Sequence, residues 1–373
     1  MYNRVIRAIR AHTAGAGAAV LALALVLAGG GLLWSTCTSK ARTDAGEGPA
    51  PYYLAGLGAR EESAASLFSL LGKEAAGTQE HFAVIREIAN CYAAAGDYGK
   101  LVTFLSDAAR EDPQSIYNGY YRFMTAWAYM RQEAWPAAAL YFDIILKNYP
   151  DLIIQGESMH LACLNQLITL VNDGERRVRY YEELIARFPE QIDLGAAYFM
   201  LGQAYEKTGE WSEAIKAYTQ YLPYLETNVP GFPNAASYAR NLVDFYNSPK
   251  NWTFDSLSSL LAAVRASLDG GNAERLDQCR AKVNFFARSW GQEDAENAGM
   301  AEFTLYQFMQ GNRIRYNDEL DKSSNANEAY LRTTGWAAYI ATWYLYFRKI
   351  YFPANPEIHG RWEWAGIYYG EKF

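Results

Sequence analysis

Side chains able to do chemistry are sparse in this 373-residue chain. Its four histidines are His12, His81, His160 and His359. No second histidine lies four residues from any of them, so no helical zinc pair forms. Phosphate-cradling loops, dinucleotide glycine motifs and nucleophile elbows are missing from the sequence. His359, with Glu357 or Glu363, is the one acid–base set on offer, and a turn position explains His359 better. Glu182-Glu183 reads as a solvated helix face. Cys91, Cys163 and Cys279 sit without a disulfide framework and read as small buried hydrophobes. No catalytic residue, metal site or cofactor is expected, and the reading is of a non-enzyme.

Cys37 is the exception, because its context suggests acylation. Arg4, Arg7 and Arg10 precede a stretch, residues 11–39, free of Asp, Glu, Lys and Arg. Its core at 14–33 is rich in Ala, Leu, Val and Gly, the layout of a secretory signal. Twenty such residues are also long enough to span a bilayer. The run Leu33-Trp34-Ser35-Thr36-Cys37 resembles a bacterial lipoprotein signal, although Trp34 and Thr36 depart from the usual residues. That resemblance implies cleavage before Cys37 and a diacylglycerol on its sulfur. An uncleaved anchor and an ordinary cleaved signal remain the alternatives. Each places the rest of the chain outside the cytoplasm, membrane-anchored at the periplasmic side of the envelope in the first two cases. Residues 37–55 read as a flexible tether, since 44–51 (DAGEGPAP) are small, polar and Gly/Pro-rich.

The chain beyond this tether is long enough for two cores. The net charge is −7, and removing the three N-terminal Arg makes the remainder more acidic still. An acidic chain without a basic run is a poor nucleic-acid binder.

The elements that would position any site are announced by a repeating pattern. Tyr198, Leu201, Gly202 and Tyr205 recur at spacings of three and four and share one helix face. Gly209 can take the left-handed conformation that ends a helix, and Trp211, Ala214 and Tyr218 open the next. Small against large lets the two helices interlock. This segment resembles the tetratricopeptide repeat, a unit of about 34 residues. Similar hairpins lie upstream: Ile85, Ile88, Ala89 and Tyr92 with Leu105 and Ala108; Ala126 and Tyr129 with Ala138, Phe142 and Ile145; and the stretch 161–168 with Tyr181 and Leu184. Pro113, Pro150 and Pro189 close these three, at intervals somewhat longer than the ideal unit. The third departs most, with Asn165 and Arg177 where the family has small residues.

The expected fold is therefore mainly α: a solenoid of repeat-like helical hairpins over 56–247, then a smaller α+β domain over 251–373. In the latter, 255–269 reads as an amphipathic helix capped by Asp255 or Thr253, and 273–290 and 295–310 as further helices. The aromatic stretches 330–336, 342–350 and 361–369 read as antiparallel strands. Helices followed by a meander resemble, in architecture, nuclear-transport-factor-like domains. A pocket lined by Trp343, Phe347, Trp362 and Trp364 would then suit an apolar ligand.

Repeat resemblance implies partner binding on the first helix of each hairpin. The residues facing away from the packing stripe are Arg86 and Asn90 in the first unit, Tyr120, Phe123, Trp127 and Arg131 in the second, and Phe199, Gln203 and Lys207 in the fourth. Aromatic residues with Arg are the composition of interface hot spots. Arg86 and Asn90 also match the pair that some family members use to hold a peptide carboxylate, but Met124 breaks the match in the next unit. The function expected is a membrane-anchored extracytoplasmic scaffold for a protein or peptide partner in envelope assembly or transport. The alternative is a ligand-binding accessory protein using the C-terminal pocket.

Overall fold

The computed structural model describes residues 51–154, 156–290 and 304–372. The chain divides into two compact units, Met1–Ile192 and Asp193–Phe373. The division falls inside the stretch read as one repeat domain. Cys37 and the apolar run before it lie outside the described residues. Among the described residues no helix is long and apolar enough to cross a membrane.

In the first unit, a helical turn at Pro51–Leu54 precedes α1 (Glu61–Leu71), and three hairpins come after it. These are α2 (Gln79–Ala95) with α3 (Tyr98–Glu111), α4 (Asn118–Arg131) with α5 (Trp135–Asn148), and α6 (Met159–Leu170) with α7 (Gly174–Arg187). The punctuation is local. Gly96 ends α2 at φ 73°, and Asp97 at once caps α3 by accepting the Lys100 N–H. Asp173 caps α7 through the Arg176 N–H, which starts the second helix of the poorest repeat. A small antiparallel pair, β1 (Ile153–Ile154) and β2 (Glu157–Ser158), sits before α6. Within residues 51–55, read as tether, Tyr53 and Leu54 pack on the core: Tyr53 contacts Phe68 and Phe104, and its hydroxyl donates to Asp107. Burial, reinforced by that carboxylate, pushes the Tyr53 hydroxyl up to about 12.

The second unit opens with α8 (Leu194–Thr208) and α9 (Trp211–Tyr221), followed by α10 (Ala235–Asn247), α11 (Leu257–Asp269), α12 (Ala273–Gln278) and α13 (Leu305–Met309). Gly209 takes φ 80° between α8 and α9, as the spacing required. The sheet is mixed, ordered β3-β7-β6-β5-β4. Strands β4 (Arg315–Tyr316), β5 (Glu328–Thr334), β6 (Trp343–Lys349) and β7 (Trp362–Tyr369) pair antiparallel, and β3 (Phe286–Ser289) lies parallel to β7. The expected meander is present.

Two local expectations fail, at 273–290 and at the cap of α11, and a third is tested only in part. A single helix over 273–290 stops at Gln278, and the chain enters β3 through Asn284 at φ 59°. Strand formation wins there because Phe286 packs its ring over the bare backbone of Gly366 on β7. In the expected helix over 295–310, α13 covers Leu305–Met309, and residues 295–303 lie outside the described ones. The cap of α11 is Ser256, whose hydroxyl accepts the Ser259 N–H, in place of Asp255 or Thr253.

One face of the sheet and α11 make the core of this unit, with Leu260, Val264, Leu345, Phe347, Trp364 and Ile367 buried together. The opposite face carries Tyr330, Tyr344, Tyr346 and Tyr368.

Candidate partner-binding surfaces

On α2, Arg86 and Asn90 lie one turn apart and half-buried. The Arg86 guanidinium pairs with Glu87 at 3.1 Å. On α4 the expected outward face is interior. Tyr120 and Phe123 are 1% and 2% exposed, and Trp127 is buried as well. Tyr120 meets Phe82 edge-on at 5.2 Å, Phe123 meets Phe142 at 5.8 Å, and Trp127 meets Tyr98 at 5.7 Å. The reason is topological. Helix α4 contacts α3, α5 and α6, so an apolar stripe on nearly every side is covered. Arg131 lies over the Tyr98 and Trp127 rings and donates from Nε to the Tyr98 hydroxyl at 3.1 Å, with its edge still open to water.

Phe199 on α8 is likewise no surface residue. It is 1% exposed, enclosed by Tyr218, Tyr221, Phe232 and Tyr238 at 5.1–6.3 Å between ring centres. Helix α10 brings Tyr238 across that side. Gln203 donates to the Tyr218 hydroxyl at 2.6 Å, and Tyr218 and Tyr238 both donate to the Glu206 carboxylate, at 2.6 and 2.9 Å. Burial first, and the Glu206 hydrogen bond second, push both tyrosine hydroxyls far up, so they stay protonated donors. Lys207 is exposed. The accessible partner face read from the sequence thus shrinks to Arg86, Asn90 and Arg131 in the first unit and Gln203 and Lys207 in the second.

A different feature offers itself in the second unit. Helix α10 and the β6–β7 connection enclose a groove of about 330 Å³. Its apolar floor is Leu242, Phe245, Ile350 and Phe352, and the Phe245 and Phe352 rings meet at 4.7 Å. Tyr238 and Tyr351 stand at its rim, 40% and 76% exposed. Arg348, Lys349, Asn241 and Asn284 supply polar contacts. Glu363 is 2% exposed, and it holds Arg348 Nε at 2.8 Å and the Trp252 indole N–H at 3.3 Å. That pairing fixes the Arg348 guanidinium at the groove.

The residues expected to line an apolar pocket are placed in the core, and His359 sits in a turn, as its sequence context suggests. Trp343, Phe347, Trp362 and Trp364 are buried core residues packed in one cluster with α11. His359 Nδ1 accepts the Phe352 N–H at 3.1 Å and its ring packs on Tyr351, while Glu363 is held by Arg348 and Trp252. They serve separate structural tasks. Among the described residues no cluster of His, Cys, Asp and Glu is arranged to hold a metal. Cys163 and Cys279 are buried thiols and Cys91 is half-buried.

Sequence reasoning misses the groove residues although their signal is present. Tyr238, Leu242 and Phe245 follow an i, i+4, i+7 stripe along α10, the spacing of an amphipathic helix. Ile350-Tyr351-Phe352 continues β6, and its packing on α10 is a long-range contact that spacing does not reveal.

Two segments match the tetratricopeptide repeat family, residues 120–152 and 197–230. They coincide with the α4–α5 and α8–α9 hairpins. No curated protein matches the chain. The chain therefore carries tetratricopeptide repeats, and such repeats suggest a protein–protein interaction scaffold.

Proposed function

We propose that this protein is a scaffold that holds a protein partner by an extended peptide segment in the groove between α10 and the β6–β7 connection. The observation carrying the reading is the open apolar groove rimmed by Tyr238 and Tyr351 and edged by Arg348 and Lys349. Solvent-facing Tyr and Arg around an apolar floor have hot-spot composition. With Arg348 already paired to Glu363, Lys349 on β6 favours a segment bearing an acidic side chain beside its apolar anchors. We further infer that the chain works at the extracytoplasmic side of a membrane, tethered by a lipid on Cys37 or by the apolar run itself. The support is the basic–apolar–Cys order in residues 4–37.

A photo-crosslinking residue at position 351 tests the groove, with the fully exposed position 339 as control. Crosslinking to one protein from 351 and not from 339, lost when Lys349→Glu is added, is the expected result. Equal adducts from both positions, or insensitivity to Lys349→Glu, would remove the groove from the function.

A further inference from the structure

On the sheet face away from α11, Trp290 follows β3 and stacks on Tyr368 at 4.2 Å with ring planes 8° apart. The same indole lies 5.6 Å from the Tyr330 ring and 5.3 Å from Tyr344. Against these rings sits a cation from the chain itself. Lys372 Nζ is 4.8 Å from the Trp290 ring centre and 4.4 Å from that of Tyr330. Its ammonium donates to the Ser323 hydroxyl, which donates in turn to Asp321 at 2.6 Å. Hydrogen bonds from Ser323, helped by the Lys372 and Arg332 charges, hold the Asp321 carboxyl below its usual range, so it stays ionised. Two aromatic faces with a carboxylate behind them are the chemistry that receives an alkylammonium group.

The segment after β7 delivers this lysine. Gly370 donates to the Thr342 carbonyl at 2.9 Å, and Glu371 accepts from Thr342 and Arg332. Lys372 itself remains exposed, so its ammonium keeps contact with water. A primary ammonium is strongly hydrated and gains little by resting on rings. A methylated ammonium has less water to lose and more apolar surface to bury, so the same rings favour it.

The geometry points to a binding site for a quaternary ammonium of the choline type, formed by Trp290, Tyr330, Asp321 and Ser323 and occupied in the free protein by Lys372. The internal lysine acts as a tethered competitor. Its removal must therefore tighten external binding.

Titration calorimetry with tetramethylammonium chloride, against sodium chloride at equal ionic strength, tests this on the full chain. Lys372→Ala is expected to bind at least five-fold tighter than the parent. Adding Trp290→Ala to Lys372→Ala should abolish binding, and Trp290→Phe should retain a weakened form. Circular dichroism checks the fold of each variant, and Trp290→Phe keeps the test decisive if Trp290→Ala unfolds. The idea is overturned if Lys372→Ala binds no tighter than the parent, if Trp290→Ala or Trp290→Phe leaves binding unchanged, or if no variant gives saturable heat. Free choline and phosphatidylcholine vesicles, compared by the same variants, separate a soluble ligand from a lipid headgroup.

Discussion

Gly202 lies directly beneath the Tyr218 ring: a methyl group at position 202 would stand 2.5 Å from Tyr218 Cε1. Tyr218 cannot easily yield, because Gln203 and Glu206 hold its hydroxyl from both sides. This close approach is how α8 and α9 interlock. Gly202→Ala gains about 1 kcal/mol of helix propensity. The overlap costs more, so a net loss of about 1–3 kcal/mol is expected. Tyr218→Leu should relieve the clash, and a double-mutant cycle by denaturant unfolding should show coupling of about 1 kcal/mol or more. Additive losses would mean that the two helices part freely.

Asp143 joins two hairpins of the first unit and is 7% exposed. It accepts from Tyr180 at 2.9 Å, Lys147 at 2.9 Å and Arg176 at 3.1 Å. Burial alone would raise its pKa, but these donors and charges outweigh burial and hold it low. Asp143→Ala strands the buried Tyr180 hydroxyl and should cost about 3 kcal/mol. Tyr180→Phe should cost about 1 kcal/mol. Because the folded carboxyl is depressed, its contribution is complete above about pH 4 and fades as acid protonates it. Urea midpoints at neutral pH and below pH 4 check both statements, and a wild-type-like Asp143→Ala would refute the first.

The hairpins were legible because their cues are local. Gly96-Asp97, Gly209 and the closing prolines act through backbone conformation within a few residues. The β5–β7 strands were legible for the same reason, in runs of aromatic and β-branched residues. What spacing cannot report is which elements cover a face. Periodicity showed that Tyr120, Phe123 and Phe199 point away from one stripe, and tertiary packing then buried that second side as well. Likewise β3 depends on a parallel partner, β7, that lies far along the chain, so Phe286 looked helical by its neighbours. The groove depends on the same kind of distant contact.

His160 is 4% exposed, with Nε2 against the Tyr149 carbonyl at 3.0 Å and Nδ1 facing the Arg187 guanidinium at 2.6 Å. Burial lowers its pKa and the Arg187 charge lowers it further, against opposing pulls from Asp151 and Glu183. A folded value below the unfolded one means that the unfolded chain takes up the proton first. Stability of the first unit should therefore fall as pH drops below about 6.5. Urea midpoints at pH 7.5 and 5.5 measure it, and His160→Gln should flatten the difference. A wild-type unit that strengthens on acidification would contradict the assignment.

Lipidation can be separated from a plain anchor at Cys37. Metabolic labelling with a fatty-acid analogue should mark the parent chain, and Cys37→Ala should abolish the label. If the label is lost while the protein also leaves the membrane fraction, the lipid is the tether. Persisting membrane association in unlabelled Cys37→Ala would assign that role to the apolar run, residues 14–33.

Phe123 and Tyr351 should respond oppositely to truncation, and the contrast decides where a partner can touch. Phe123 is 2% exposed and packs on Phe142, so Phe123→Ala should cost about 3–5 kcal/mol and lower the melting temperature. Any lost partner binding in that variant reports damaged folding. Tyr351 is 76% exposed and touches Trp211 and His359 only at ring edges. Tyr351→Ala should change stability by no more than about 0.5 kcal/mol. A hot-spot side chain lost from the groove should nevertheless weaken partner binding about ten-fold or more, by roughly 2 kcal/mol. Ile350→Asp is the complementary control, because Ile350 is 5% exposed beneath the same groove and its replacement buries a charge. It should unfold the second unit outright. Binding that survives Tyr351→Ala at full strength would move the partner site off the groove and back toward Arg86 and Arg131.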